Sequence, residues 1–359
     1  MRLIMVTQRV GVTDPILAFI PNWIRSLARR VEHLWIVTPR AEQLALPRNV
    51  TVCEVGRDYT ADETILHALR SFHDVMWRIT QKGTINGIFT HMLPKYAIIS
   101  APYARWRDIP LVMWYTHKSV SWQLRLAGAL VDRIVTASPE TCRLNSPKVR
   151  PIGHGIDTSV FQPPREGTER CHRRPTVLTV GRVSPIKHLE VLIEAAHILV
   201  HRSGHEDLRV VIAGGPPNQN QAWYMDSLRQ LTDKHLLDEQ ITFAGKVPYK
   251  QIVSRYRRSD VFVSASKSGV DKVVLEAMAC ATPVVVSDPV FQPMLKGHED
   301  LLLYPPGDAD ALADRLEALL AMPERERRAI GRELRSVVER SHTTGALMDK
   351  LLDTLEEIS

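Results

Sequence analysis

The chain has 359 residues, 44% of them apolar and 24% charged, and carries a formal net charge of +6. That length exceeds one compact α/β unit of ordinary size and suits two, with the composition of a soluble globular protein. No run reaches about eighteen apolar residues, which excludes a membrane-spanning helix.

The N-terminus, MRLIMVTQRVG, has too short an apolar segment for a signal peptide and reads as a first buried strand. Short apolar strands then alternate with amphipathic helices twice over, the pattern of two parallel-sheet α/β domains. In the first half the predicted strands are Leu3–Thr7, Leu34–Thr38, Val50–Cys53, Gly87–Thr90, Leu111–Tyr115, Arg133–Thr136 and Val149–Ile152. A helix is predicted from Asp14 to Arg30, with Ile16, Phe19, Ile20, Trp23 and Leu27 on one face. Trp23 reads there as core rather than as a ligand platform, and Asp14 either caps the helix or faces a crevice. Residues 1–165 hold 21 Lys+Arg against 12 Asp+Glu, and the remainder 25 against 28, so the positive excess is entirely N-terminal. Such a balance suits an anionic membrane surface or a phosphate-bearing acceptor, or is simply a soluble basic face. No basic–aromatic strand pattern points to nucleic acid.

Thr116–His117–Lys118 follows the Leu111–Tyr115 strand and precedes a helix, where a histidine faces either a ligand crevice or its own loop. His91, at the end of the preceding strand, is a weaker candidate of the same kind. From Gly153 to Pro175 the rhythm breaks, with three prolines and a charged run, which marks a linker. Strands follow near Val177–Val180, Leu208–Ala213, Ile241–Phe243, Val261–Ser264, Pro283–Val286 and Leu301–Leu303. Helices fall near Lys187–His201, Gln221–Lys234, Tyr249–Arg257, Asp271–Cys280, Asp308–Leu320, Glu324–Arg340 and Thr344–Ile358. Cys53, Cys142, Cys171 and Cys280 are scattered, with neither a CxxC pair nor metal-ligand spacing, and read as packing thiols in a reducing cytosol.

The candidate chemistry gathers in the second half. Gly181–Lys187 lies at the carboxyl end of that half's first strand, where open α/β sheets bind ligands. Arg182 offers a fork of donors and Lys187 a point charge, five residues apart across a turn, so both can meet one diphosphate. Gly214–Gly215 permits close approach of backbone to a ligand but equally makes an ordinary turn. Gly245, Lys246 and Val247 form a strand end and loop able to hold a base edge. Ser266–Asp288, SKSGVDKVVLEAMACATPVVVSD, reads as a loop of small residues that includes Ser268 and Gly269, then a helix, then a strand. The helix start, with Lys272, Val273 and Val274, is an anion site, because its first N–H groups lack partners. Glu276 sits between Leu275 and Met278, where an unpaired carboxylate is costly and a ligand diol would satisfy it. Phosphate at the helix start and a diol one turn further in describe a nucleotide diphosphate with its ribose. Neither a GxGxxG fingerprint nor a Walker loop is present, and no His, Asp or Cys cluster has metal spacing.

Four stretches together resemble the retaining glycosyltransferases of family 4. PIGHGIDTSVFQP is similar to their NG(V/I)DxxxFxP linker, and VGRVSPIKHLEVLIEA to their GR-x(4)-KG segment. VIAGGP is similar to their (V/I)xGxGP turn, and VLEAMACATPVVVSD to their LEAMAxGxPVV hallmark. The resemblance implies an α/β chain of GT-B fold: two facing Rossmann-like domains with parallel sheets, and a C-terminal helix crossing back to the first domain. It implies an acceptor-binding domain over 1–160, a nucleotide-sugar-binding domain over 161–340 and a returning helix over 341–359. The implied activity is metal-independent, retaining transfer of a sugar from a nucleotide diphosphate sugar to a saccharide or to a polyprenyl- or other lipid-linked acceptor. The implied place is the cytoplasm, peripherally on the inner face of the membrane, in surface polysaccharide or glycolipid synthesis. No cofactor beyond the donor substrate is implied. In the carried-over roles Arg182 and Lys187 neutralise the leaving diphosphate, helped by the N–H groups of Val273 and Val274. Glu276 holds the ribose and His117 lies against the donor sugar. Gly181, Gly214, Gly245, Lys246, Val247, Ser268, Gly269 and Lys272 complete the donor site. Three positions depart from the pattern: Ser268 replaces a sugar-contacting Glu, His154 the linker's Asn, and Ala281 the Gly after the cysteine. On packing grounds the last two read as tolerable. A sugar-nucleotide epimerase on the same fold and a non-catalytic donor-binding subunit are the alternative readings.

Overall fold

Apolar strands of three to six residues build two separate parallel sheets in a structure, a computed structural model, that describes residues 1–13, 17–56, 65–165, 174–267 and 269–358. Asp14, Cys171 and Ser268 therefore lie outside the described residues. The chain divides into two units, Met1–Gly155 with Thr344–Ser359, and Ile156–Thr343. No helix among the described residues is long and apolar enough to cross a membrane.

The first unit runs β1 (Arg2–Val6), α1 (Ile20–Ala28), β2 (His33–Thr38), β3 (Val50–Glu54), α2 (Ile65–Thr80), β4 (Gly87–His91), α3 (Pro94–Arg107), β5 (Leu111–Trp114), α4 (Trp122–Leu130), β6 (Arg133–Thr136) and β7 (Val149–Pro151). All neighbours pair in parallel, in the order β3-β2-β1-β4-β5-β6-β7. A central parallel strand is covered on both faces, so it reads as a continuous apolar run, and its alternate side chains enter two different cores. Ile4 and Val6 of β1 pack with Phe72, Met76, Ala97 and Leu124 from α2, α3 and α4. Leu3 and Met5 pack on the other face with Trp23, Ile24 and Leu27 of α1. Trp23 is a core residue, with its ring edge-on to Trp114. The first helix is described from Ile20, after a turn over 17–19, and the start expected at Asp14 lies outside the described residues. Pro21 has no N–H and its ring crowds the carbonyl four residues earlier, so it is accommodated in a first turn and not in a helix interior. His91 is buried to 1% exposure, and burial lowers its pKa to about 3, so its imidazole is a neutral core group.

The second unit runs β8 (Thr176–Val180), α5 (Leu189–His201), β9 (Arg209–Ala213), α6 (Ala222–Lys234), β10 (Ile241–Gly245), α7 (Tyr249–Arg258), β11 (Val261–Ser264), α8 (Lys272–Ala279), β12 (Val284–Val286), α9 (Glu299–Leu302), α10 (Ala309–Ala321) and α11 (Glu324–Ser341). Its strands are again all parallel, in the order β10-β9-β8-β11-β12. The strand expected at Leu301–Leu303 is instead the single turn α9, joined to the sheet only by a bridge from Leu303 to Val286. Glu299 and Asp300 favour a helix start there, and Pro305 and Pro306 prevent a strand from extending. The last helix, α12 (Thr344–Glu356), returns the chain to the first unit, where Leu347, Met348, Leu351 and Leu355 join the α1 core. Two ion pairs add to this docking, Arg30–Asp349 at 2.5 Å and Arg150–Glu357.

Candidate functional site

In the second sheet the direction of winding reverses between β8 and β11, and the carboxyl ends of strands at such a switch form a ready crevice. Beyond β8 the chain turns through Gly181, whose φ is +144°. Its N–H donates to the Ala213 carbonyl at 3.0 Å, and the Val183 N–H donates to the Gly215 carbonyl at 3.0 Å. The loops after β8 and β9 are thus bonded backbone to backbone. A Cβ at Gly214 would lie 1.7 Å from the Gly181 carbonyl oxygen, so only glycine fits there. A small cleft remains at these strand ends, lined by Gly181, Arg182, Lys187, Ala213, Ser264 and Ala265, among others.

Arg182 is exposed at this cleft, while Lys187 is mostly covered and ion-paired with Asp271, the residue before α8. Lys246 is exposed beyond β10, and its aliphatic stem lies over Gly215. A register shift between Phe243 and Gly245 ends β10, with Gly245 at φ +66°. Val247 beside them is half-buried and packs against the unit's core.

The first turn of α8 carries Lys272, Val273 and Val274. Val274 N–H donates to the Asp271 carbonyl at 3.1 Å. Gly269, at φ +84°, is fixed by its N–H donating to the Asp288 carboxylate at 2.9 Å, and Asp288 also accepts from the Val290 N–H. Glu276 is 5% exposed. The Tyr256 hydroxyl donates to it at 3.1 Å, and the Lys272 ammonium lies 3.4 Å away, one turn earlier on the helix. Burial raises the Glu276 pKa, while Lys272 and Tyr256 pull it back towards the carboxylate. Glu276 is therefore partnered by protein groups. Tyr249 completes the surroundings, with the Lys272 ammonium 5.6 Å from its ring centre.

His117 belongs to the first unit and is exposed just beyond β5. Its Nδ1 accepts from the Ser119 N–H at 3.1 Å and meets the Ser119 hydroxyl at 2.7 Å. Sequence reasoning named Arg182, Lys187, Lys272 and Glu276 but missed Asp271, Asp288, Tyr249 and Tyr256. The two tyrosines lie seven residues apart on α7, a spacing that puts them on one face with Ile252 and Val253. Their hydroxyls on a core-facing stripe were the available signal for a buried polar partner.

Comparison with known proteins bears on this unit first. The family model of the glycosyl transferases group 1 matches residues 164–335. The D-inositol 3-phosphate glycosyltransferase of Corynebacterium glutamicum (strain R) is 30% identical over 184 residues, covering 47% of this chain and 44% of that protein. The protein of the same name from Mycolicibacterium smegmatis is 33% identical over 161 residues, covering 40% and 36%. The chain thus spans less than half the length of the curated relatives it matches. Among solved structures, sucrose-phosphate synthase from Thermosynechococcus elongatus shares the fold at a TM-score of 0.74 and 19% identity, covering 100% of this chain and 99% of that one. Anabaena Alr3699/HepE in complex with UDP and glucose does so at 0.72 and 15%, covering 99% of each.

Proposed function

We propose that this chain, whose residues 164–335 match the glycosyl transferases group 1 and which has the GT-B fold, is a retaining glycosyltransferase using a nucleotide diphosphate sugar. The observation that carries this reading is the cleft at the β8–β11 switch, with Arg182 exposed on it, Lys187 lining it and the start of α8 reached through Asp271. When the bond between the sugar's anomeric carbon and the diphosphate oxygen breaks, negative charge develops on the leaving group. Fixed cations in a partly enclosed site stabilise that charge more in the transition state than in the ground state. Arg182 and Lys187 take this role, with the Val273 and Val274 turn and Lys272 beside them. Glu276 takes the ribose hydroxyls: a carboxylate accepts about four hydrogen bonds, and Tyr256 and Lys272 leave room for a diol. Gly181, Gly214, Gly245, Lys246, Val247, Ser268 and Gly269 shape the donor site around them, and His117 is the first-unit residue assigned to the donor sugar. Uridine diphosphate is the first donor nucleotide to try, because the Anabaena structure of the same fold holds it.

For the acceptor we propose a saccharide or a lipid-linked saccharide, and for the place of action the inner membrane surface. The N-terminal excess of positive charge supports a phosphate-bearing or membrane-borne acceptor. Arg182→Ala and Lys187→Ala should each raise the barrier to transfer by about 2–4 kcal/mol while leaving the fold intact. The check is turnover of UDP-sugars with an acceptor panel, alongside thermal unfolding; near-normal turnover in both variants refutes the reading. Donor binding without turnover across the panel would instead support a binding subunit, which Ser268 in place of a carboxylate favours. Release of nucleotide diphosphate only when acceptor is present decides against an epimerase.

A further inference from the structure

Four tryptophans are at least half exposed, and three of them sit on the single helix layer formed by α2, α3 and α4 of the first unit. Trp77 of α2 and Trp106 of α3 are 50% and 52% exposed and stack on each other, with ring centres 4.8 Å apart and planes 7° apart. The Arg107 guanidinium lies 4.1 Å from the Trp106 ring centre. Trp122 opens α4 at 69% exposure, and Leu126, one turn on, is 41% exposed. Each helix buries its opposite side: Phe72, Val75, Met76 and Ile79 of α2 are in the core, so the outward Trp77 is not left over from poor packing. Large apolar rings held in water gain nothing for an isolated protein and mark a surface that is covered when in use.

The charge around these rings says what covers them. Residues 65–130 contain eight Lys+Arg and two Asp+Glu, a surplus equal to the net charge of the whole chain. Arg70, Arg78, Lys82, Arg105, Arg107 and Arg125 are all exposed. Tryptophan rings settle at the headgroup depth of a bilayer, and each Lys or Arg near an anionic leaflet strengthens attachment by about fivefold. A docking protein needs a matched counter-surface; a bilayer needs only protruding rings among cations. We propose that the outer face of α2, α3 and α4 rests on an anionic lipid bilayer, with the Trp77–Trp106 stack in the headgroup layer and the arginines on lipid phosphates. This rests on the peripheral attachment proposed above and names the surface that makes it.

The full chain is tested against vesicles of phosphatidylcholine, with and without phosphatidylglycerol, by co-sedimentation and tryptophan emission. Binding is expected only with phosphatidylglycerol present, weakening with salt, with a blue shift of the emission. Trp77→Gln with Trp106→Gln should lower partition about tenfold or more. Arg105→Gln with Arg125→Gln should lower it about thirtyfold. Both pairs are exposed, and unchanged thermal stabilisation by UDP shows that the fold and the donor site survive. Failure of the wild type to sediment, partition unaffected in both variants, or capture only by a soluble acidic protein or polysaccharide overturns the proposal. Loss of UDP stabilisation in the wild type would instead strike the donor reading and leave the vesicle result standing.

Discussion

Glu276 holds the clearest tension between stability and use. Its carboxyl is almost wholly removed from water, and that burial raises its pKa above the ordinary carboxylate value. A carboxyl whose folded pKa is raised favours the folded state fully below pH of about 4.5. That contribution is lost as pH climbs through the folded pKa, because the folded state must then give up a proton it holds more tightly. At pH 7 the side chain is therefore a cost that Lys272 and the Tyr256 hydroxyl only partly offset. Glu276→Gln keeps the shape and the Tyr256 contact while removing the charge. The variant should be at least as stable as the parent at pH 7–8 and should lack the parent's stability loss above about pH 4.5. Its affinity for UDP should fall by about tenfold to a hundredfold, because hydrogen bonds to a charged group are lost. Urea unfolding across pH with UDP calorimetry decides the matter; a variant both less stable and undiminished in UDP binding would remove Glu276 from the donor site. Much of this site was legible in the sequence, since an acid among Leu275, Ala277 and Met278 on a short helix is conspicuous. Its partners were not. Asp271 opens the predicted helix, yet its side chain pairs with Lys187, 84 residues earlier, and Tyr256 is 20 residues from the carboxylate it serves. Local pattern carries no record of such pairings.

At the scale of elements, α8 shows where backbone conformation outweighs packing. The helix ends with Thr282 N–H donating to the Ala277 carbonyl at 3.0 Å and Ala281 N–H to the Met278 carbonyl at 2.9 Å. That pattern places the residue after Cys280 in the left-handed region, and Ala281 has φ +54°. The alanine looked tolerable on packing grounds, and its methyl does find space, but its cost lies in the dihedral angle. Ala281→Gly should stabilise the second unit by about 1 kcal/mol, read as a rise in the urea midpoint at unchanged slope. No gain would mean that the neighbouring carbonyl contacts set this turn and not the alanine. Gly331 of α11 packs against the same turn so closely that a Cβ there would lie 2.1 Å from the Ala281 carbonyl oxygen. Strand positions were read well from apolar runs, because buried parallel strands advertise themselves. Helix α3 was not, since Tyr96, Ala97, Ser100, Ala101 and Tyr103 spread its buried positions widely and Pro102 interrupts it. The α9 turn passed for a strand because Leu301–Leu303 is an apolar run too short for its period to be seen.

For the whole molecule, the two units have separate hydrophobic cores, the first unit's lying on both faces of its sheet, and the chain visits the first unit at both ends. Leu347, Met348, Leu351 and Leu355 of α12 are each 2% exposed or less, so the first unit depends on residues that come after the second in sequence. Because the cores share no residues, heating should unfold the units in two calorimetric transitions that respond to different perturbations. Leu351→Ala removes a buried side chain facing α1 and should cost the first unit about 2–5 kcal/mol. For a unit of this size that lowers its transition by about 5–15 °C. A ligand that binds only the folded second unit raises that unit's stability by mass action, about 2.7 kcal/mol at a hundred times its dissociation constant. UDP should therefore lift one transition and Leu351→Ala should lower the other. A single transition moved by both perturbations would show that the two cores melt as one cooperative body, and the assignment of donor binding to Ile156–Thr343 would then have to rest on site variants alone.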